Sequence, residues 1–338
     1  MRKFRMLVLT DHTGHSAQNS LYPLVQAMRH HPRCDQIDVA TRGNVLNDFF
    51  FIRLMIKAPF VIKADESFAY HPDGRSLNKN LQRVRIDNYD VVWLRMPPPL
   101  STEFLGFLDH TFANQLIIND PLGIYETGSK QFLLNFPGLC PPMKACYSIE
   151  EILDFKDRFP IVLKPFRNYG GNGIVRIDGE KVWEGKRETT LEEFLDSIKN
   201  QEIAYLAVKF LKNVSLGDKR IVVVDGKIMG ASLRLPAERS WICNGAMGGS
   251  SNYTEVDEDE VSIVNRLTPS LNKLGIVMYG IDTLVNDEGR RILSEINTTS
   301  IGGLPKIAKL TGKPVVEESA DLIWNYIVKK IAREDVNA

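Results

Sequence analysis

The chain has 338 residues, and its 42 lysines and arginines balance 42 aspartates and glutamates, for a formal net charge of zero. With 43% hydrophobic and 25% charged residues, the composition is that of a folded globular protein. It excludes a polybasic nucleic-acid binder, an acidic tail protein and a disordered scaffold, and no apolar run reaches the roughly 18 to 20 residues of a membrane span. The length predicts two or three packed units. Four cysteines (Cys34, Cys140, Cys146, Cys243) are scattered without a C-x-x-C pair, which predicts a reduced, cytoplasmic protein. The six histidines all lie between His12 and His110, so the last two-thirds of the chain cannot supply histidine-based chemistry.

The N-terminal segment is basic and then apolar, but its apolar part stops at Asp11-His12 with no small-residue cleavage site after it. It reads as a first strand, Arg5 to Leu9, rather than a signal peptide. A helix follows over Ser16 to Arg29, with Leu21, Leu24, Val25 and Met28 at helical spacing. Strands are predicted at Gln36–Ala40, Asp90–Arg95 and Gln115–Asn119, with a helix at Phe104–Phe112. This alternation predicts a small parallel α/β sheet. Only one glycine follows the first strand, in Thr10-Asp-His-Thr-Gly14, which disfavours a dinucleotide fingerprint there.

Asp120-Pro121 breaks the chain, and the pattern changes to α+β. Helices are predicted at Tyr125–Leu134, Glu150–Phe155, Leu191–Ile198 and Glu317–Ile331. Strands are predicted at Pro160–Lys164, Ile174–Asp178, Ile203–Phe210, Arg220–Asp225, Lys227–Arg234, Val277–Val285 and Arg290–Ile296. Most of these pair as antiparallel hairpins. The units expected are 1–122 and 123–333, the second with a lid at about 143–212 and a catalytic part at about 213–333.

Three motifs in this half carry chemistry. Lys164-Pro-Phe-Arg-Asn-Tyr-Gly170-Gly171-Asn-Gly173 places a lysine and a glycine-rich turn between two strands, where backbone N–H groups can approach anionic oxygens. It lacks the Gly-Lys-Ser/Thr of a Walker A loop, and an ordinary glycine-rich hairpin is the alternative. In Gly280-Ile-Asp282 and Glu295-Ile-Asn297, two carboxylates and an amide share one sheet face if the turn pairs Val285 with Arg290. That pairing sets Asp282 opposite Leu293 and diagonal to Glu295. Such hard oxygen ligands suit a Mg²⁺ ion that also binds phosphates, the alternative being a solvated sheet face. Gly217-Asp218-Lys-Arg220 enters the apolar run Ile221–Val224, so its charges must pair with each other or with a ligand, unless the segment is a surface turn.

Taken in order, Lys130, Lys164-Pro with Gly170-Gly171, Gly217-Asp218-Lys-Arg220 and Asp282 with Glu295-Ile-Asn297 resemble an ATP-grasp carboxylate–amine ligase, in detail the bacterial glutathione synthetase family. Arg95-Met-Pro-Pro-Pro-Leu-Ser-Thr-Glu-Phe104 and Asn119-Asp-Pro are similar to stretches of that family. Asn244-Gly-Ala-Met-Gly-Gly249 and Glu295-Ile-Asn-Thr-Thr-Ser300 are similar too. The resemblance covers nearly the whole chain. It implies an ATP-grasp fold preceded by a Rossmann-like parallel α/β domain, and a homo-oligomer acting on a carboxylate donor and an amine acceptor, with no nucleic-acid or membrane partner.

The resemblance also implies roles. Lys130 and Lys164 would bind ATP phosphates under a flap at Gly170 and Gly171. Val208-Lys209-Phe210-Leu211 would hydrogen-bond adenine through its backbone, with Asp218 near the ribose. Asp282, Glu295 and Asn297 would hold Mg²⁺, or Mn²⁺ in its place. Arg220 and Arg234 would neutralise the γ-phosphate and an acyl phosphate, and Asn244, Gly248, Gly249, Ser300 and Gly302 would face substrate. The activity implied is amide formation from γ-glutamylcysteine and glycine.

Departures fall where the family contacts substrate carboxylates. The arginine before Asn244 is displaced to Arg239, Ser250-Ser251 replaces a basic residue, and Thr299-Ser-Ile-Gly-Gly303 replaces Thr-Ser-Pro-Thr-Gly. A ligase joining an amino acid to a different peptide or small carboxylate, and a non-catalytic nucleotide-binding protein of the same fold, are the alternatives. Asp11-His-Thr-Gly-His15 is either a substrate-side contact or a polar loop at a strand end.

Overall fold

The computed structural model describes residues 2–56, 58–168, 170–236 and 250–337. The first sheet contains β1 (Phe4–Thr10), β2 (Cys34–Thr41), β3 (Phe60–Lys63), β4 (Gln82–Arg83), β5 (Val91–Arg95) and β6 (Leu116–Ile118), in the order β4-β3-β2-β1-β5-β6. β2, β1, β5 and β6 are parallel, as expected. β3 and β4 add antiparallel at one edge, so the sheet is mixed rather than purely parallel. At four and two residues these edge strands are too short to show a period in the sequence.

The helices of this unit are α1 (Leu21–His30), α2 (Asp48–Phe51), α3 (Arg75–Asn78) and α4 (Thr102–Thr111). α1 buries Leu21, Leu24, Val25 and Met28, the face read from spacing. It begins five residues later than predicted, where the Asn19 side chain accepts the Leu21 N–H at 2.9 Å. α4 starts where the Ser101 hydroxyl accepts the Phe104 N–H at 3.1 Å.

α5 (Pro121–Thr127) is capped by Asp120, whose carboxylate accepts the Gly123 N–H at 2.8 Å. The single helix predicted over Tyr125–Leu134 is corrected: α5 stops, and a separate 3₁₀ turn covers Lys130–Asn135. The cause is a competing bond, because the Lys130 N–H donates to Phe166 O at 2.8 Å.

The second sheet is wholly antiparallel. It contains β7 (Met143–Cys146), β8 (Ile161–Pro165), β9 (Val175–Asp178), β10 (Lys181–Glu184), β11 (Arg187–Thr190) and β12 (Tyr205–Lys209), in the order β11-β10-β9-β8-β12-β7. α6 (Ile149–Lys156) and α7 (Leu191–Ile198) contribute Ile152, Phe155 and Phe194 to its own apolar core, with Leu163 and Ile177 from the sheet.

The third sheet contains β13 (Asp218–Val224), β14 (Lys227–Leu235), β15 (Ser250–Thr254), β16 (Met278–Val285) and β17 (Arg291–Asn297). Its order is β15-β14-β13-β16-β17, again antiparallel. α8 (Glu258–Lys273), α9 (Leu304–Thr311) and α10 (Val315–Asn337) accompany it. α8 and α9 were not foreseen. An internal Pro269 interrupts the helical signal of α8, although Asp257 and Glu260 form a reciprocal capping box at its start.

The continuous run Ile221–Val224 is explained by burial on both faces of β13. Val222 and Val224 join a core with α1, α9 and α10, and Ile221 and Val223 join a second core with α8. Both cores extend into the first sheet. Asn119 ties the two sheets: its amide donates to Met278 O at 2.6 Å and Thr298 O at 2.8 Å and accepts from Val277 N at 2.9 Å and Met278 N at 3.1 Å. Arg95, fully buried beside them, donates to Ile301 O at 2.7 Å. Among the described residues no helix is long and apolar enough to cross a membrane.

Candidate active site

A cleft of about 1170 Å³, including space open to solvent, lies between the second and third sheets. The sheets touch at its margins, where Lys164 Nζ reaches Ser294 Oγ at 3.3 Å and Lys209 Nζ reaches Asp287 Oδ2 at 2.8 Å. Val162, Ile174, Val208, Leu211 and Leu284 form apolar walls, and Gly170 and Gly171 form part of the lip. Gly170 and Gly171 have φ of 70° and 81°, a region natural to glycine.

Strand register builds the polar floor. Reading across five strands, Tyr253, Ser232, Arg220, Asp282 and Glu295 lie directly opposite one another. Directly opposed residues of antiparallel strands share a face, so this row is continuous. The pairing of Asp282 with Leu293 is corrected. Val285 pairs with Arg291 because Asn286 N–H closes the turn onto Arg290 O at 2.8 Å, and a bulge between Asp282 and Thr283 then brings Asp282 opposite Glu295. The bulge keeps both carboxylates on the cleft side.

The charges of Asp218 and Arg220 are paired, but not with each other as one expectation had it. Residues two apart on a strand are farther from one another than from their cross-strand partners. Arg234, opposite Asp218, grips it through two bonds of 2.7 Å. Arg220, opposite Asp282, grips that carboxylate through Nε and through Nη2 at 2.8 Å, and Arg234 reaches the same carboxylate at 3.0 Å. Burial works to raise the Asp282 carboxyl, but the two guanidinium ions outweigh it and hold it below the ordinary aspartate value. Gly217 permits this approach: at φ 84°, a Cβ there would stand 2.6 Å from Arg234 O.

Asn297 completes the acidic end, with Nδ2 at 3.4 Å from Asp282 Oδ2. Lys130 donates to Asn168 O and lines a small adjoining pocket with Glu295. Burial pulls its ammonium below the ordinary lysine value, against the attraction of Glu295. In the hinge segment, Lys209 N–H donates to Pro142 O at 2.9 Å and Phe210 N–H to Pro160 O at 2.8 Å. Val208 lies inside β12, paired with β7 and β8, so Leu211 stands beyond the end of the strand.

The predicted residues Lys164, Gly170, Gly171, Val208, Lys209, Phe210, Leu211, Asp218, Arg220, Arg234, Asp282, Glu295 and Asn297 therefore line one cleft. Gly302 lines a separate pocket behind Arg220. Ser300 is turned toward the first sheet, its hydroxyl donating to Arg95 O at 3.4 Å. Asn244, Gly248 and Gly249 lie outside the described residues.

The Asp11–His15 segment bonds within its own unit. Asp11 pairs with Arg42 at 2.7 Å, His12 Nδ1 lies 2.8 Å from Thr41 Oγ1, and His15 Nδ1 lies 3.1 Å from Tyr22 Oη. Sequence reasoning missed Val162, Ile174, Leu284 and Ser294. Leu284 was findable, being two residues from Asp282 on an alternating strand; Ser294, beside Glu295 on β17, is the residue that the register shift leaves unopposed, and Val162 and Ile174 come from elements far away in the chain.

Among the described residues no three histidine, cysteine or carboxylate side chains cluster as a metal site. The set here is two carboxylates and one amide, which fits a Mg²⁺ that keeps waters and shares phosphate oxygens.

The fold is that of ATP-grasp enzymes. A RimK-domain ATP-grasp protein from Sphaerobacter thermophilus aligns with a TM-score of 0.59 at 12% identity, covering 94% of this chain and 98% of that one. The D-cycloserine synthetase DcsG aligns with a TM-score of 0.63 at 13% identity, over 96% and 99% of the two chains. In sequence, residues 129–312 match the family described as prokaryotic glutathione synthetase, ATP-grasp domain. The glutathione synthetase of Bradyrhizobium diazoefficiens is 30% identical over 256 residues, 75% of this chain and 77% of that protein. The chain belongs to this family, and is an ATP-dependent carboxylate–amine ligase of the glutathione synthetase type.

Proposed function

We propose that the chain joins the carboxylate of γ-glutamylcysteine to the amine of glycine, consuming ATP with Mg²⁺, in the cytoplasm. The observation that carries this reading is the cross-strand row in which Arg220, Asp282 and Glu295 meet beside Lys164 at the polar end of an apolar-walled cleft. Val162, Val208, Leu211 and Leu284 would sandwich adenine, with the Leu211 N–H as its donor, and Asp218 would lie by the ribose. Lys130 and Lys164 would hold phosphate oxygens, and the lid, residues 143–212, would close over them through Gly170 and Gly171. Asp282, Glu295 and Asn297 would hold Mg²⁺, which when bound neutralises phosphate charge.

In the reaction a substrate carboxylate attacks the γ-phosphorus, ADP leaves, and the amine then displaces phosphate from the acyl phosphate. Both nucleophiles belong to substrates. The protein's work is to orient them, exclude water and stabilise charge, which agrees with a cleft lined, among the described residues, without histidine. Arg220 and Arg234 would turn part of their donor capacity from carboxylates to the transferring phosphoryl group. The test is incubation with γ-glutamylcysteine, glycine and Mg-ATP, with mass detection of the tripeptide and measurement of ADP. ATP binding without tripeptide would overturn the substrate assignment.

A further inference from the structure

The hairpin β16–β17 serves the cleft twice. Its strands carry Asp282, Glu295 and Asn297 on the polar floor, and its turn meets the hinge segment. Asp287, in that turn, accepts the Lys212 N–H through Oδ1 at 3.0 Å and the Lys209 ammonium through Oδ2 at 2.8 Å. Beside it, the Asn213 side-chain amide donates to Asn286 O at 2.6 Å. The turn is itself fixed, because Asn286 Oδ1 accepts the N–H groups of Glu288 at 3.1 Å and Arg290 at 2.8 Å. The Lys209 ammonium and the Lys212 N–H hold the Asp287 carboxyl below the ordinary aspartate value, so it is ionised at neutral pH. Only Thr283 and Leu284 separate Asp282 from Val285, at about 3.3 Å of strand per residue. One short hairpin thereby ties the hinge to the carboxylates of the cleft.

Resting on the reading above that the Leu211 N–H meets adenine, we propose that Asp287 is a positioning residue that fixes this donor and so sets which base the cleft accepts. Its two bonds fall on residues 209 and 212, one on either side of Leu211. The neighbouring amides are already spent in the second sheet, Lys209 N–H on Pro142 O and Phe210 N–H on Pro160 O. Leu211 N–H has no acceptor among the described residues, and Leu211 lines the cleft. Gripped by the sheet before it and by Asp287 after it, the Leu211 peptide has little room to rotate. The bond to Lys212 carries most of this effect. A charged acceptor on a backbone N–H acts directly on the chain, whereas the partly exposed ion pair to Lys209 contributes less. Base choice follows from the donor. Adenine N1 accepts a hydrogen bond, whereas the N1–H of hypoxanthine sets two donors against each other. A loosely held amide turns aside from that clash, and a fixed one keeps it.

The proposal is tested by calorimetric titration of the whole chain, as wild type, Asp287→Ala and Asp287→Asn, with Mg-ATP, Mg-ITP and Mg-tripolyphosphate. ITP carries the hypoxanthine N1–H, and tripolyphosphate reports on the polar end of the cleft without a base. Glu288→Ala, exposed in the same turn, is the control. Asn213→Ala removes the adjoining bond to Asn286 and is read by the same criteria if Asp287→Ala does not fold.

In wild type, ATP is expected to bind about 10- to 100-fold more tightly than ITP. Asp287→Ala should weaken ATP by about tenfold, narrow the ATP-to-ITP ratio by about tenfold and leave tripolyphosphate within about twofold. Asp287→Asn keeps an amide oxygen for the Lys212 N–H and should retain the ratio within about threefold, as should Glu288→Ala. A ratio unchanged in Asp287→Ala, or lost as fully in Asp287→Asn or Glu288→Ala, would overturn this proposal and leave the adenine reading standing. Equal weakening of ATP, ITP and tripolyphosphate in Asp287→Ala would overturn it too, since a general loss of structure moves all three. Equal binding of ATP and ITP by wild type would overturn the reading of Leu211, and this proposal with it.

Discussion

Replacing Asp282 by asparagine tests the charge arithmetic of the cleft. Asp282 is 3% exposed and receives three guanidinium contacts, two from Arg220 and one from Arg234. The amide would keep the shape but leave Arg220 without its paired carboxylate and Arg234 with Asp218 alone, two mostly buried cations facing Asp218 and the more distant Glu295. Breaking a buried pair by removing one partner costs about 3 to 5 kcal/mol. Because the arginines keep some contact with solvent in the cleft, about 3 kcal/mol is expected, or a Tm lower by about 4 °C at this chain length.

The same change has an opposite effect on ligand binding. In the proposed binding mode and without Mg²⁺, Asp282 would repel a triphosphate, and it occupies the arginines that would attract it. Asp282→Asn should therefore bind metal-free ATP about tenfold more tightly than wild type, a gain of about 1.4 kcal/mol, while losing most of the enhancement that Mg²⁺ gives. Thermal unfolding and calorimetric titration of ATP in EDTA and in Mg²⁺ measure both. A Tm within about 1 °C of wild type, or full retention of the Mg²⁺ enhancement, would refute the reasoning.

Glu295→Gln should abolish ligation by weakening Mg²⁺ with little change in Tm, since Glu295 is only partly buried; substantial turnover in this variant would remove it from the metal site. Lys219→Met strands the fully buried Glu260, which Lys219 contacts at 2.6 Å, and should cost about 3 to 5 kcal/mol in urea unfolding. A cost below about 1 kcal/mol would show that the Glu260 carboxylate is held well enough by Thr283 and the α8 capping box. Burial lowers the His15 imidazole from an ordinary 6.5 to about 4. The neutral ring is therefore favoured in the folded state, so its stabilisation is full above pH 6.5 and is lost as pH falls toward 4. Wild type should lose about 2 kcal/mol more than His15→Phe between about pH 7 and 4.5, and parallel losses in the two proteins would contradict this.

The order of the motifs in the chain was legible without coordinates, and so was the chemistry each residue type can support. Lys164 before a glycine-rich turn, and Glu295 and Asn297 two apart on a strand, are local facts that periodicity and residue chemistry define. The same is true of the long elements, whose apolar faces α1 and β13 show plainly. Short edge strands and the break at Lys130 were hidden, because two to four residues carry no period and because a single bond to Phe166 outweighed helix propensity.

Tertiary structure alone decided who meets whom. A bulge beside Asp282 set it opposite Glu295, and cross-strand register gave Arg220 and Arg234 their carboxylates instead of leaving Asp218 and Arg220 to each other. The zero net charge of the sequence held no hint that cations and carboxylates would converge on one cleft. Composition and local pattern determine what each segment can form. Pairing register is set by packing across strands distant in sequence, and a shift of one residue there changes every partner in the site.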